Sequence, residues 1–153
     1  GDLTYKNTID NLHILDYDYY FKVVDMLYEQ NLSGALLLFD EILKNGFDGH
    51  HFLTGLGAHL RDLLVAKDAT TVQLLEVSED VKKRYLEQGG KLSASFLLTA
   101  LNISNSFDIS YKGSKNQRLH VELALMKMAH VNAAITLSVN GGSNDPVKKK
   151  VMP

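Results

Sequence analysis

Proline is missing from the first 145 residues; the only two, Pro146 and Pro153, fall in the last eight. Nothing upstream is therefore barred from helix by a locked φ or a lost N–H donor. The apolar residues recur at helical spacing. Leu53, Leu56, Leu60, Leu63 and Leu64 step by three or four and build one stripe. Phe21, Val24 and Tyr28 form a second, and Ala35, Leu38, Phe39 and Ile42 a third.

Capping residues fall between the stripes. Asp16 predicts the start of a helix reaching about Gln30, with Asp18 favourable to its N-terminal dipole. Asn31 or Ser33 opens the next, which Asn45-Gly46 closes in a left-handed turn. Asp48 opens a third that reaches Lys67, and a turn-like piece follows over Asp68–Val77. Ser78-Glu79-Asp80 starts a helix that Gly89-Gly90 ends. Ser93 caps an apolar helix through Phe107 or on to Tyr111, and the last helix runs from about Asn116 to Val139. Phe107-Asp108-Ile109-Ser110-Tyr111 alternates as a strand does, but one short run has no ladder partner. The short connections favour antiparallel neighbours. The expectation is an all-α bundle of six or seven mostly antiparallel helices. Its ordered part would be residues 16–139, preceded by a connection over 1–15 and followed by a flexible tail over 140–153.

Charge and composition exclude several functions. The chain contains no cysteine, which removes thiolate zinc sites, iron–sulfur clusters and cysteine nucleophiles, and fits a reducing cytoplasm. No apolar run approaches the ~20 residues that span a bilayer, and the start lacks the apolar block of a signal peptide. A cytoplasmic, soluble, single domain is expected. The last fourteen residues hold three of the 16 Lys+Arg and one of the 18 Asp+Glu, so residues 1–139 carry a net charge of −4. No global basic field drives this chain onto nucleic acid.

Catalytic constellations are weak. His50, His51 and His59 are the densest histidine group, but adjacent helical residues point ~100° apart and His51 lies ~12 Å from His59 along an axis. They read as histidines at a helix entry and on its surface. The acid pairs Asp16/Asp18, Asp40/Glu41 and Glu79/Asp80 sit near helix starts or on polar faces. Gly55 and Gly57 lack the strand and the Lys-Ser/Thr of a phosphate loop, and more simply admit a close helix neighbour. In the last helix Val121, Leu125 and Met128 make one apolar row and Leu119, Leu123 and Met126 another. Apolar residues on nearly all sides imply burial by several neighbours, within the domain or across subunits.

The run Tyr111-Lys-x-Ser-Lys-Asn-x-Arg-Leu-x-x-Glu-Leu-x-Leu-x-Lys127 resembles the C-terminal part of the gamma/tau subunit of bacterial DNA polymerase III. Asn11-Leu12-His13-Ile14-Leu15-Asp16-Tyr17-Asp18-Tyr19-Tyr20-Phe21 is similar to that family too. So is Gly46-Phe47-Asp48-Gly49-His50-His51-Phe52 leading to His59-Leu60-Arg61-Asp62-Leu63-Leu64. The resemblance covers roughly residues 4–132. It implies the helical third domain of a clamp-loader subunit, which joins its neighbours in a closed collar and holds the pentamer together during ATP-driven loading of the sliding clamp. The implied partners are delta, delta-prime and further gamma/tau copies, with helicase and polymerase engaged through C-terminal segments of the long form.

The family's phosphate-binding loop and four-cysteine zinc site are not in this sequence. ATP with magnesium, and zinc, would belong to absent N-terminal modules, so this stretch is expected to hold no cofactor and to catalyse nothing, although the whole subunit would be an ATPase. Gly1 reads as a cloning remnant and the end at Pro153 as an artificial stop. On the matching run, interface or structural anchors are expected at Tyr111, Asn116, Arg118, Glu122 and Lys127, and His59, Arg61 and Asp62 are expected to form a polar seam. The competing expectation is a helical nucleic-acid module using Lys112, Lys115, Arg118, Lys127 and the lysine tail.

Overall fold

A computed structural model of the chain describes residues 17–143, with side chains to Ala133. The expected Asp16 cap, the connection over 1–15 and the tail from residue 144 lie outside the described residues. Six α-helices follow in order: α1 (Tyr17–Tyr28), α2 (Leu32–Lys44), α3 (Gly49–Val65), α4 (Glu79–Lys91), α5 (Ala94–Ile109) and α6 (Gln117–Ser143). Single turns of 3-10 helix, Val72–Leu74 and Tyr111–Gly113, lie before α4 and α6. There is no strand among the described residues, and the alternating run at Phe107 is the last turn of α5 leading into the second 3-10 turn.

Four of the helix starts have the same chemical cause. The side chains of Asn31, Asp48, Ser78 and Ser93 accept from the backbone N–H groups of Gly34, His51, Val81 and Phe96, satisfying donors that the first turn leaves unpaired. Two helix ends share one device. After α2, Phe47 N–H donates to Ile42 and Gly46 N–H to Leu43, with Gly46 at φ 90°. After α1, Asn31 N–H donates to Met26 and Gln30 N–H to Leu27, with Gln30 itself at φ 63°. A glutamine there carries a strain that glycine would not.

Two boundaries differ from the expectation. Gly89-Gly90 does not end α4, which runs to Lys91 with Leu92 as its cap. Gly89 is buried, and a Cβ there would sit 3.1 Å from the Leu63 carbonyl oxygen of α3. The glycine lets two helices touch rather than stopping one. At the other end, α6 continues over Asn140–Ser143, which the expected boundary placed in the tail. No proline intervenes before residue 146, and glycines at a helix end cost only ~1 kcal/mol each.

The core is one cluster to which all six helices contribute. Its largest contact is α3 against α5. Gly55 and Gly57 admit the neighbours of α3: a Cβ on Gly55 would collide with the Tyr20 hydroxyl of α1, and one on Gly57 would lie 3.0 Å from Ser104 Oγ of α5. Ser104 in turn donates to the Leu53 carbonyl at 3.2 Å. Asn132 of α6 donates to the Tyr28 carbonyl at 2.7 Å, tying α6 to the end of α1.

Candidate functional site

His59 faces the interior, not the surface. Its imidazole is 2% exposed and lies among Tyr20 (stacked, 5.9 Å between centroids), Phe21 (edge-on, 4.5 Å) and Tyr85 (5.0 Å). The Gln88 amide nitrogen donates to the Phe21 carbonyl and to Asp25 Oδ1, both at 2.8 Å. Gln88 Oε1 is then the acceptor for His59 Nε2 at 2.9 Å, which assigns the proton to Nε2. Nδ1 is left buried without a partner. Burial pushes the His59 pKa down from 6.5 to about 4, so the ring is neutral at pH 7.

The expected polar seam does not assemble around it. Arg61 is exposed and donates to the adjacent Asp62 at 2.8 Å. Both line an open hollow of ≈ 350 Å³ with Tyr17, Leu74, Glu76 and Val77. Residues 59, 61 and 62 leave the helix in different directions, because each step turns the side chain by ~100°. A larger hollow, ≈ 470 Å³, opens between α1 and α4 over Phe21, Asp25, Arg84 and Lys91. Its charges are internally balanced: Arg84 lies 4.2 Å over the Phe21 ring and donates to Asp18 at 2.9 Å, while Lys91 sits 3.5 Å from Asp25.

The start of α6 gathers the other singled-out residues. Asn116 Oδ1 accepts from Leu119 N–H at 3.0 Å and caps the helix. Arg118 donates to Glu122 Oε2 at 3.2 Å and across to Asp40 Oδ1 of α2 at 2.9 Å. Lys44 reaches the other Asp40 oxygen at 3.0 Å, and these two cations, Lys44 foremost, hold the Asp40 carboxyl below the usual range. Tyr111 is buried with its ring stacked on His50 at 4.4 Å, and burial raises its phenol pKa. Lys127 lies 5.6 Å from the Phe107 ring centroid.

Thr54, Asp108 and His120 of this junction were not singled out by sequence, unlike His50. His50 Nε2 and Asp108 Oδ1 are 2.6 Å apart, Thr54 also donates to Asp108, and His120 Nε2 sits 2.8 Å from the Phe107 carbonyl. The partners are up to 58 positions apart in the chain, so no local spacing announces them. His50, His51 and His59 point to Asp108, Asp48 and Gln88 respectively. Among the described residues no group of three His, Asp or Glu is placed to hold a metal ion.

Several junction residues lie on a run that carries the resemblance, and the comparison with protein families covers nearly the same span. Residues 9–138 match the family described as DNA polymerase III subunits gamma and tau, domain III. The chain belongs to that family. The DNA polymerase III subunit tau of Bacillus subtilis (strain 168) is 25% identical over 119 residues, which is 76% of this chain and 21% of that protein. The chain therefore spans about a fifth of the length of this relative. No solved structure matches.

Within this gamma/tau domain III, the family run Tyr111–Lys127 is where α3, α5 and α6 are fastened at one end of the bundle. Its polar residues serve the domain's own geometry: a cap, a charge clasp, and a stacked His–Tyr pair. Its second apolar row does not. Val121, Leu125 and Met128 are fully buried, whereas Leu119 and Leu123 are 43% and 42% exposed. Nothing among the described residues covers Leu119 and Leu123. No helix among the described residues is long and apolar enough to cross a membrane.

Proposed function

We propose that this domain joins its subunit to the other subunits of the bacterial clamp loader, as a helical collar, and performs no reaction of its own. Membership of the gamma/tau domain III family carries the reading. The delta and delta-prime subunits and further gamma/tau copies are the proposed partners. ATP hydrolysis, zinc, and contacts with polymerase or helicase would belong to other segments of the full subunit.

The physical logic is one of tethering. A ring whose ATP sites lie between subunits loosens at those sites on every hydrolysis. A separate helical tether keeps neighbours at high effective concentration while one nucleotide interface opens. Such a tether needs a rigid interior and apolar outward faces, and the packed core with its exposed α6 leucines supports this.

Deleting residues 16–139 from the full-length subunit tests the reading. The shortened subunit is expected to bind ATP yet fail to co-purify with the other loader subunits; normal assembly by the deletion overturns the proposal. The nucleic-acid alternative has less support. Arg118 is clasped by Asp40 and Glu122, which leaves Lys112, Lys115 and Lys127 as the described cations of that alternative without such a clasp. A low-salt shift of primed DNA by this chain, lost on raising the salt, is the outcome that alternative requires.

A further inference from the structure

We infer that α4 is a hinged flap, which lifts as a unit while the rest of the bundle stays folded, and that protonation of His59 beneath it favours the lifted state. The inference is independent of the assembly reading above. Only Tyr85, Gln88 and Gly89 of the 13 residues of α4 are buried, whereas α3 buries seven of its 17. Gly89 and Gly90 lie inside α4, and each lowers its helix propensity by ~1 kcal/mol. Two residues, Leu92 and Ser93, join it to α5, and residues 66–78 with a single 3-10 turn join it to α3. Its hold on α1 is largely polar. Arg84–Asp18 at 2.9 Å and Lys91–Asp25 at 3.5 Å are exposed pairs, with which water competes. The ≈ 470 Å³ hollow lies where a tight seam between the two helices would otherwise run. An element with little buried apolar surface and exposed bonds opens below the cost of global unfolding.

His59 ties the flap to acid. Two of its walls, Tyr20 and Phe21, belong to α1, and the cover belongs to α4: Tyr85 packs on the ring and Gln88 Oε1 accepts from Nε2. Lifting α4 withdraws Gln88 from His59, from the Phe21 carbonyl and from Asp25 together, and lets water reach the imidazole. While the flap is down, a second proton would sit on Nδ1, which is buried with no acceptor. The titratable and charged groups facing the ring are Tyr20 and Asp25 of α1 and Arg84 and Tyr85 of α4. Burial is the largest influence and keeps the proton off, against the pull of the Gln88 hydrogen bond; Arg84 adds to it and Asp25 opposes it. Once lifted, the ring carries its charge in water. A proton therefore binds the lifted form more readily, and acid moves the population toward it.

Native-state hydrogen exchange of this chain, resolved amide by amide, tests both parts. At pH 7 the central amides of α4 are expected to exchange through an opening at least about tenfold more populated than the one that frees the interior amides of α3 and α5. Between pH 7 and pH 5, after correction for intrinsic exchange rates, the opening constant of α4 is expected to rise about twentyfold. That factor follows from a His59 pKa of about 4 with the flap down and 6.5 with it lifted. The window lies above the ordinary carboxylate range, which isolates histidine. In His59→Gln, with circular dichroism confirming the fold, the rise is expected to vanish. Exchange of the α4 amides at one common rate with those of α3 and α5 overturns the inference. So does an α4 opening in the native chain that is indifferent to pH, whether or not His59→Gln folds, and so does a rise that persists in a folded His59→Gln.

Discussion

At the scale of single residues, the side chain that departs furthest from expectation is His59. A histidine on a helix reads as surface, and nothing near it in the sequence says otherwise. Its burial is set by Gln88, 29 positions away, and by three aromatic rings. The energetic consequence is a pH dependence with a definite sign. The folded pKa of about 4 lies below the ordinary 6.5, so the unfolded chain binds the proton more readily. This contribution to stability is complete above pH 6.5 and is lost as pH falls toward 4, by ~3 kcal/mol in all. Urea unfolding midpoints across that range are expected to fall with acid in the native chain and to flatten in His59→Gln. A second residue-scale prediction concerns Gln30, held at φ 63° where an L side chain is strained. Gln30→Gly is expected to raise unfolding stability by ~0.5–1 kcal/mol, because relief of left-handed strain exceeds glycine's entropic cost. A lower thermal midpoint would contradict it.

Elements were more legible than residues, because most of their signals are local. Asn31, Asp48, Ser78 and Ser93 cap the helices their positions announced, and Gly46 closes α2 in the left-handed turn expected of it. Gly89-Gly90 was misleading for a physical reason: a glycine that stops a helix and one that admits a neighbouring helix look the same in sequence. Structure separates even the two adjacent glycines. Gly89→Ala presses a methyl group against the Leu63 carbonyl, whereas Gly90→Ala meets nothing within 4 Å. Gly89→Ala is expected to destabilise the fold by ~1–3 kcal/mol through overpacking. Gly90→Ala is expected to stabilise it by ~0.5–1 kcal/mol through helix propensity. Chemical denaturation of the two variants side by side checks the opposite signs. The clasp between α2 and α6 gives a third element-scale prediction. Asp40→Asn removes the negative charge that Arg118 and Lys44 share and turns one of its two acceptor oxygens into a donor, so its thermal midpoint should fall, and fall less in an Arg118→Ala background where the cross-helix bond is already gone.

For the whole molecule, the proline-free stretch and the 3.6-residue spacing were enough to set the class, an all-helical bundle. The candidate site was legible only in outline. The run Tyr111–Lys127 does concentrate the fastenings of α6, yet their partners, Asp40, His50 and Phe107, come from three other helices. Such pairings follow from tertiary packing and leave no trace in local spacing. The same packing distinguishes the two apolar rows of α6, one sealed in the core and one turned outward. A domain that spends its polar residues on its own rigidity, and shows an uncovered leucine face, is suited to being held by neighbours. A light-scattering mass of this chain, alone and mixed with the equivalent helical domains of the other loader subunits, tests that most directly. The account predicts a mass in the mixture above that of any separate component; a mixture in which every domain keeps its own monomer mass at all concentrations would contradict it.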